Sequence, residues 1–380
     1  MRIVLVGPAY PLRGGIAQYL AVLHVKLREA GHDVRFVSFT KQFPEWLFPG
    51  KTQFESSENV IDVNPVARFA PLGPRSWWRT YREIAAFDPD LVVFKWWMPF
   101  FGPGYWAVQR WVRKRTRARI AYIVDNVIPH ERRPGDRALT KLAFSQTDYF
   151  IAQSRAVEKD LFTWFPRMPR ERVAFSAHPI YDCYPAFPGS QKEARTTLGL
   201  PDDGKLILFF GFVRHYKGLD LLLKAMPAMR KALPDLRLVV AGEFYEPRSE
   251  FDKLIRELDL EGAVFIHDEY CPNEKVGAYF TACDTVVLPY RSATQSGIIQ
   301  VCYALNTPVI TTDVGGLAEV LVDGVTGLIV PPRNLDALTD AVQRFYAAGG
   351  RNAFREGVRR EAGRFSWEGM VETIVRFGKS

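Results

Sequence analysis

The sequence predicts an α/β protein built from two doubly wound, Rossmann-like domains with parallel sheets. Three observations carry this prediction. Short apolar runs alternate with helix-patterned segments, two such series follow one another, and a stretch rich in Pro, Gly and Ser separates them. A length of 380 residues suits two domains, each able to bury its own core. Hydrophobic residues make up 47% and charged residues 24% of the chain, with no low-complexity run, so a disordered tail or fibrous scaffold is excluded.

The first series opens with an apolar strand over residues 2–7, a helix over 16–30 and a strand over 33–39. It continues with a strand at 91–95, a helix at 104–113, and strands at 120–124 and 148–152. The second begins with a continuous apolar strand at 205–210, a helix at 219–231 and a strand at 236–241. Strands at 263–267, 285–288, 309–311 and 327–330 follow, with helices at 273–282 and 297–305 between them. Such alternation implies parallel sheets covered on both faces. The stretch Tyr184–Gln191 reads as the linker. Expected domains are therefore residues 1–190 and 191–365, with a helix over 366–380 that starts near Ser366 and returns to the first domain. Open parallel sheets bind ligands outside the carboxyl ends of their strands, so two of them facing each other would form a cleft, and the chemistry belongs on the loops after strands.

The opening run Met1–Gly7 is too short for a signal peptide, and no segment reaches the roughly 20 apolar residues of a membrane span. Four scattered cysteines, Cys183, Cys271, Cys283 and Cys302, form no CxxC pair. A cytoplasmic chain with reduced thiols and no structural zinc is the expectation. The net charge of +8 is uneven. Residues 1–190 hold 27 Lys and Arg against 17 Asp and Glu, whereas residues 191–380 hold 23 against 25. An acidic acceptor or anionic surface is expected for the first half.

The first loop, Gly7–Gly15, runs from a strand into a helix. Its Gly14 and Gly15 allow backbone N–H groups to approach an anion at the helix start, or simply serve the turn. It lacks the G-x-G-x-x-G spacing of dinucleotide binders, which argues against an NAD or FAD oxidoreductase. The most informative loop is Gly211-Phe212-Val213-Arg214-His215-Tyr216-Lys217-Gly218, where two cations follow a buried strand and precede a helix. Arg214 offers a planar fork and Lys217 a mobile point charge, a pair suited to neutralising a diphosphate.

This loop resembles the phosphate-binding loop of the family 4 glycosyltransferases, retaining enzymes of the GT-B fold. Residues 307–319, Thr-Pro-Val-Ile-Thr-Thr-Asp-Val-Gly-Gly-Leu-Ala-Glu, and residues 323–330, Asp-Gly-Val-Thr-Gly-Leu-Ile-Val, resemble that family in order and spacing. Gly14-Gly15 and the segment 126–131 are similar to it in the first half. The resemblance implies transfer of a sugar from a UDP-sugar or GDP-sugar, with retention, to a glycan or lipid-linked acceptor in surface polysaccharide or glycolipid synthesis. It implies no cofactor and no metal, and the sequence has no HExxH or other spaced ligand cluster.

Two departures from the family pattern stand out. Phe212 occupies the place directly after the strand glycine where the family has Arg, and Arg214 follows two residues later, while Lys217 keeps the family distance. Residues 292–304 contain no carboxylate where the family has two Glu residues. There Gln295, Ser296 and the amides of Gly297, Ile298 and Ile299 are the expected donor contacts, with Glu319 touching the donor or supporting its loop. The resemblance also implies a polar group near the end of the strand 120–124. Asp125 stands there as candidate for orienting or deprotonating an acceptor hydroxyl, with His130 as the alternative. The missing carboxylates keep open a second reading, a catalytically silent GT-B protein acting as a partner or regulatory subunit.

Residues 110–119 carry six basic side chains and no acid, downstream of Trp77-Trp78 and of the aromatic run 96–101. An anionic membrane surface is the expected partner of residues 110–119, making the protein peripheral on the cytoplasmic face of the membrane. The alternative is a solvated helix face beside buried tryptophans. No nucleic-acid motif accompanies the patch, so no nucleic-acid partner is expected.

Overall fold

The apolar runs identified above all form strands in the computed structural model, which describes residues 1–45, 48, 50–129 and 133–379. In the first series these are β1 (Arg2–Val6), β2 (Asp33–Phe39), β3 (Val66–Phe69), β4 (Leu91–Trp96), β5 (Arg119–Val124), β6 (Tyr149–Ala152) and β7 (Val173–Phe175). They pair in parallel in the order β3-β2-β1-β4-β5-β6-β7. The helices α1 (Gly15–Glu29), α2 (Pro74–Phe87), α3 (Gly102–Arg115), α4 (Asp136–Phe144) and α5 (Arg155–Trp164) connect them. Every residue of β4 is buried, as a central strand covered on both faces requires.

The second series contains α6 (Gln191–Thr197), β8 (Lys205–Phe210), α7 (Leu219–Ala232), β9 (Leu236–Ala241), α8 (Arg248–Glu257), β10 (Val264–His267), α9 (Asn273–Ala282) and β11 (Thr285–Leu288). It continues with α10 (Gly297–Ala304), β12 (Val309–Thr312), α11 (Leu317–Val320), β13 (Gly327–Val330), α12 (Leu335–Ala347) and α13 (Arg351–Ala362), and the chain ends in α14 (Trp367–Lys379). This sheet is also parallel, in the order β10-β9-β8-β11-β12-β13. Ser190 caps α6 with a capping box: its hydroxyl accepts from the Glu193 N–H while the Glu193 carboxylate accepts from the Ser190 N–H.

The chain divides into two compact units. One comprises residues 1–56, 60–179 and 366–380, the other residues 57–59 and 180–365. The division falls at Pro179/Ile180, ahead of the Pro/Gly-rich stretch expected to mark it, because residues 180–190 pack with the second unit: Tyr181 lies against Gly297, and the backbone at Pro185 lies against Gly277. Helix α14 belongs to the first unit, where Phe377 stacks on Tyr149 at 4.3 Å between ring centroids and Trp367 lies 5.1 Å from Tyr19.

Each sheet has one point where strand order reverses, between β1 and β4 in the first unit and between β8 and β11 in the second. Loops leaving the carboxyl ends of strands at such a point make the natural ligand crevice of an open sheet. Lys95 lies at the end of β4, and Lys217 follows β8.

Candidate functional site

In the second unit, three glycines bring backbone and side chains together at the reversal point. Gly211, just past β8, has φ +92°; a Cβ there would meet the Lys217 Nζ at 3.1 Å and the Ile298 Cδ1 at 3.0 Å. Gly218, which precedes α7, has φ +72°, and a Cβ would stand 2.2 Å from the Pro289 carbonyl oxygen. Gly242, after β9, packs against the Gly211 carbonyl in the same way. Side chains would be strained at these φ values and would push the strand ends apart.

The loop is braced from β11. The Arg291 guanidinium donates to both carboxylate oxygens of Asp220, at 2.8 and 2.6 Å, and to the His215 carbonyl at 2.7 Å, while the Arg291 N–H donates to the Tyr216 carbonyl. Burial raises the Asp220 pKa, and this two-pronged pairing outweighs burial and holds it below the usual carboxylate range.

Lys217 is 7% exposed, and among the described residues no carboxylate pairs with it. Its Nζ lies 5.8 Å from the Tyr290 ring centroid. Desolvation, with help from the nearby Arg214 charge, lowers its pKa to about 7. A cation held in that condition gains most from an arriving anion, which restores its charge and its missing partner. Arg214 is turned differently, its guanidinium 4.7 Å from the Tyr245 ring centroid. Phe212, in the place where the family has Arg, lies 4.6 Å from Tyr245 and 6.2 Å from Tyr270, centroid to centroid. The two cations expected to act together therefore have different surroundings.

Helix α10 begins at Gly297, whose missing Cβ lets it sit against Tyr181; a Cβ would stand 2.9 Å from that ring. The first amides of a helix have no intrahelical acceptor, which leaves those of Gly297 and Ile298 suited to an anion beside Lys217. Ile299 departs from the expectation: its N–H donates to the Ser296 carbonyl at 3.2 Å and its side chain is fully buried, so it supports the turn. Gln295 and Ser296 are half-buried in the segment that leads into the helix. That segment is clamped by the turn at Gly315-Gly316, where a Cβ on Gly315 would overlap the Ala293 carbonyl and the Gly316 N–H donates to the Thr294 carbonyl. Glu319, half-buried, follows in the single turn α11.

The carboxyl edge of the first unit is built differently. Gly14, with φ +109°, precedes α1 and offers no side-chain cap, so the first amides of α1 carry no capping oxygen from it. The loop before it is held by an antiparallel bridge between Leu12 and Phe54 and by the Arg13 N–H donating to the Gln53 carbonyl. Beneath it lies Lys95, 1% exposed, whose Nζ makes an ion pair with the Asp125 Oδ1 at 2.6 Å and donates to the Gln153 Oε1 at 2.7 Å. Its Nζ also stands 3.9 Å from the Tyr19 ring centroid, and the Tyr19 hydroxyl accepts from the Gln153 Nε2 at 2.9 Å. Asp125 thus stands at the end of β5, ion-paired from below. His130 lies outside the described residues.

Lys95, Tyr19, Gln153 and Arg291 were not singled out from the sequence. One signal was present for Lys95, a lone lysine inside the apolar run Leu91-Val92-Val93-Phe94-Lys95-Trp96.

The basic stretch 110–119 is only partly available to a partner. Arg113 pairs with Asp148 at 2.8 Å, Arg119 donates to the Tyr149 hydroxyl, and the Arg115 guanidinium lies over Trp78. Arg110, Lys114 and Arg117 are exposed. The aromatic run upstream does not form a surface: Trp96 and Phe101 are fully buried and Trp97 and Phe100 pack on the core, because this run joins the end of the buried strand β4 to the start of α3. Of the Trp77-Trp78 pair, Trp78 is exposed, at 39%. No helix among the described residues is long and apolar enough to cross a membrane.

Comparison with known proteins matches both units. Residues 14–176 match a glycosyl transferase 4-like domain, and residues 204–348 match the glycosyl transferases group 1 model. The D-inositol 3-phosphate glycosyltransferase of Thermobifida fusca is 27% identical, over 95% of this chain and 87% of that protein. D-inositol 3-phosphate glycosyltransferase 1 of Catenulispora acidiphila is 29% identical over 65% of this chain, but the match spans only 60% of that relative. Among solved structures, Alr3699/HepE of Anabaena in complex with UDP-glucose has a TM-score of 0.75 at 15% identity, covering 98% of each chain, a likeness of fold.

Proposed function

The chain belongs to the family 4-like glycosyltransferases, and on that premise we propose that it moves a sugar from a UDP-sugar or GDP-sugar to a glycan or lipid-linked acceptor with retention of configuration, in surface polysaccharide or glycolipid synthesis. The observation that carries this reading is the buried Lys217, which pairs with no carboxylate among the described residues and lies beside Gly211 and Ile298 at the start of α10. The donor diphosphate sits there, neutralised by Lys217 and Arg214 and hydrogen-bonded by the amides of Gly297 and Ile298, with Gln295, Ser296 and Glu319 around it. As the glycosidic bond breaks, negative charge grows on the departing diphosphate, and fixed cations and amides stabilise that charge without reorganising. No metal is needed for that step. The donor-binding role falls to the second unit and the acceptor-binding role to the first, with Asp125 as the candidate for orienting or deprotonating the acceptor hydroxyl.

In Alr3699/HepE the bound molecule is UDP-glucose, which makes it the first donor to try. The relatives' names make D-inositol 3-phosphate a soluble acceptor to include. Thermal shift and release of UDP or GDP are measured with UDP-glucose, UDP-N-acetylglucosamine and GDP-mannose. A stabilising shift with one donor, followed by nucleotide release, is expected. Absence of binding to every donor at millimolar concentration sinks the transferase reading and favours a silent partner protein. The anomeric configuration of the product, read by NMR against that of the donor, tests retention.

The exposed Arg110, Lys114 and Arg117 support peripheral docking on an anionic membrane at the cytoplasmic face, each cation contributing about 1 kcal/mol near such a surface. Cosedimentation with vesicles containing anionic lipid, absent with purely zwitterionic vesicles, is the expected result.

A further inference from the structure

The outer face of α2 carries a stripe of arginines with no counter-charge among the described residues. Thr80, Tyr81, Ile84 and Phe87 of this helix are buried in the core, which turns Arg75, Arg79, Arg82 and Ala86, at i, i+4, i+7 and i+11, to solvent. The one acid of the helix, Glu83, lies to the side of the stripe, where it pairs with Arg35 at 2.7 Å and Arg68 at 3.7 Å. Like charges three and four residues apart on a helix repel each other. The stripe therefore costs the free fold some stability, and a partner that supplies negative charge would recover it.

The arrangement continues on the neighbouring helix. Trp78 of α2 meets Trp111 of α3 edge to face at 5.1 Å between ring centroids, and the Arg115 guanidinium lies 5.4 Å from the Trp78 ring centroid. Beyond that seam α3 exposes Arg110 and Lys114, again four residues apart. The two helices together hold seven Lys and Arg against the single carboxylate of Glu83, a surplus that complements an anionic surface. Both helices belong to the first unit.

Charge alone suits any polyanion, and two apolar side chains choose among them. Leu72, in the turn before α2, is 61% exposed, and Trp78 is 39% exposed. One exposed apolar side chain needs no explanation. A leucine and a tryptophan at the margins of a basic helix pair are the groups that gain from entering a lipid interface, where the amphipathic indole is favoured. A nucleic-acid backbone offers Leu72 nothing apolar. Because the apolar face of α2 is already spent in the core, only these two side chains enter the lipid, and the arginines stay at headgroup level. Arg79 and Arg82, with Arg68, also line an open depression of about 500 Å³ between α2 and β3, space for a headgroup phosphate.

We propose that α2 is a membrane-docking element of the first unit: Arg75, Arg79 and Arg82 lie on the phosphates of an anionic bilayer, Leu72 and Trp78 enter its interface, and Arg110 and Lys114 extend the same footprint. This rests on the docking reading given above for residues 110–119 and adds to it a second helix and an apolar anchor. The two contributions separate by salt: charge attraction is screened, and apolar burial is not.

The test is partition of the full chain into vesicles of phosphatidylglycerol and phosphatidylcholine, measured by cosedimentation at low and high salt. Wild type is compared with a first triple variant, Arg75→Gln with Arg79→Gln and Arg82→Gln, with a second, Arg110→Gln with Lys114→Gln and Arg117→Gln, and with Leu72→Ser. Each cation neutralised is expected to lower the partition coefficient about fivefold at low salt, and the first triple variant about 100-fold, the difference from wild type shrinking as salt rises. Leu72→Ser should lower it about tenfold at either salt concentration, because the lost contribution is apolar. Brominated acyl chains should quench part of the wild-type tryptophan fluorescence. Trp78→Phe, which keeps an aromatic ring against Trp111, should remove that quenching; if it does not fold, Leu72→Ser decides. Melting temperatures of the glutamine variants should match wild type, since the substituted side chains are exposed.

If the first triple variant and Leu72→Ser bind as wild type does and only the second triple variant loses binding, the role of α2 is overturned and docking through residues 110–119 stands. Loss in the first triple variant with no effect of Leu72→Ser and no quenching overturns the bilayer as partner; binding of single-stranded RNA with the same salt dependence then marks a polyanion site. A wild-type protein that does not partition into anionic vesicles removes the docking reading and this proposal with it.

Discussion

Two buried lysines stand near the strand-order reversals, one in each unit, Lys95 inside β4 and Lys217 in the loop after β8, and their charges are handled in opposite ways. Lys95 is paired with Asp125, bonded to Gln153 and covered by Tyr19, so burial lowers its pKa while the carboxylate pulls it back up. Lys217 has no carboxylate among the described residues, and burial lowers its pKa to about 7. One ammonium is complete without a ligand, and the other is not. On the function proposed above, a lysine that awaits a dianionic diphosphate is left without a carboxylate at some cost to the free protein, whereas Lys95 and Asp125 form a balanced pair.

The sharpest way to break this comparison is Lys217→Ala. It should reduce donor turnover by about 10²- to 10³-fold, the usual consequence of removing one stabilising donor from a developing anion. Its melting temperature should be unchanged or higher, because an uncompensated buried charge is gone. A variant that retains turnover would remove Lys217 from the donor site.

Asp125→Ala should behave in the contrary way toward stability. It leaves the buried Lys95 ammonium without a counter-charge, with Gln153 and Tyr19 still beside it, and a loss of about 3 kcal/mol, roughly 100-fold in the folding equilibrium, is expected in urea unfolding. If Asp125→Ala and Lys217→Ala have equal effects on stability, the contrast between the two lysines is false.

The pH dependence of binding follows from the sign of the Lys217 shift. In the free protein the ammonium loses its proton near pH 7, and a bound diphosphate raises that pKa, so binding takes up a proton. Affinity for UDP-glucose, whose doubly esterified diphosphate keeps a constant charge, should be full below about pH 7 and fall by up to about tenfold per unit above it. In Lys217→Arg, which stays charged, the slope should vanish; calorimetry at several pH values measures both.

The smallest effect belongs to the brace. Arg291→Lys exchanges the two-pronged contact with Asp220 for a point charge, and donor KM should rise about fivefold with kcat little changed. Equal loss in both parameters would mean that Arg291 acts on the transition state directly.

The fold was legible because the core strands are continuous apolar runs bounded by glycine, and all the strands read from the sequence are present. Short β3 and β7 were not among them: Val66-Ala67-Arg68-Phe69 is a half-exposed edge strand with an arginine in it, and three residues at Val173–Phe175 give no period. Trp77 and Trp78 lie on α2, where Trp77 donates to the Ala70 carbonyl and Trp78 packs on Trp111 while staying 39% exposed. Aromatic content alone does not tell a surface from a core edge.

For the candidate site, sequence spacing selected Gly211, Lys217 and Gly297, because close backbone approach demands glycine and a strand end followed by a cation has a recognisable order. Spacing could not say that no carboxylate among the described residues pairs with Lys217, that Arg214 leans on Tyr245, or that the Ile299 amide is spent inside its own turn. Nor could it bring Tyr19, Lys95, Asp125 and Gln153 together, since they lie on four elements up to 134 residues apart. Chain order determines which loops leave the carboxyl ends of the strands. Only packing determines which charges meet there, and a buried charge takes its character from its neighbours.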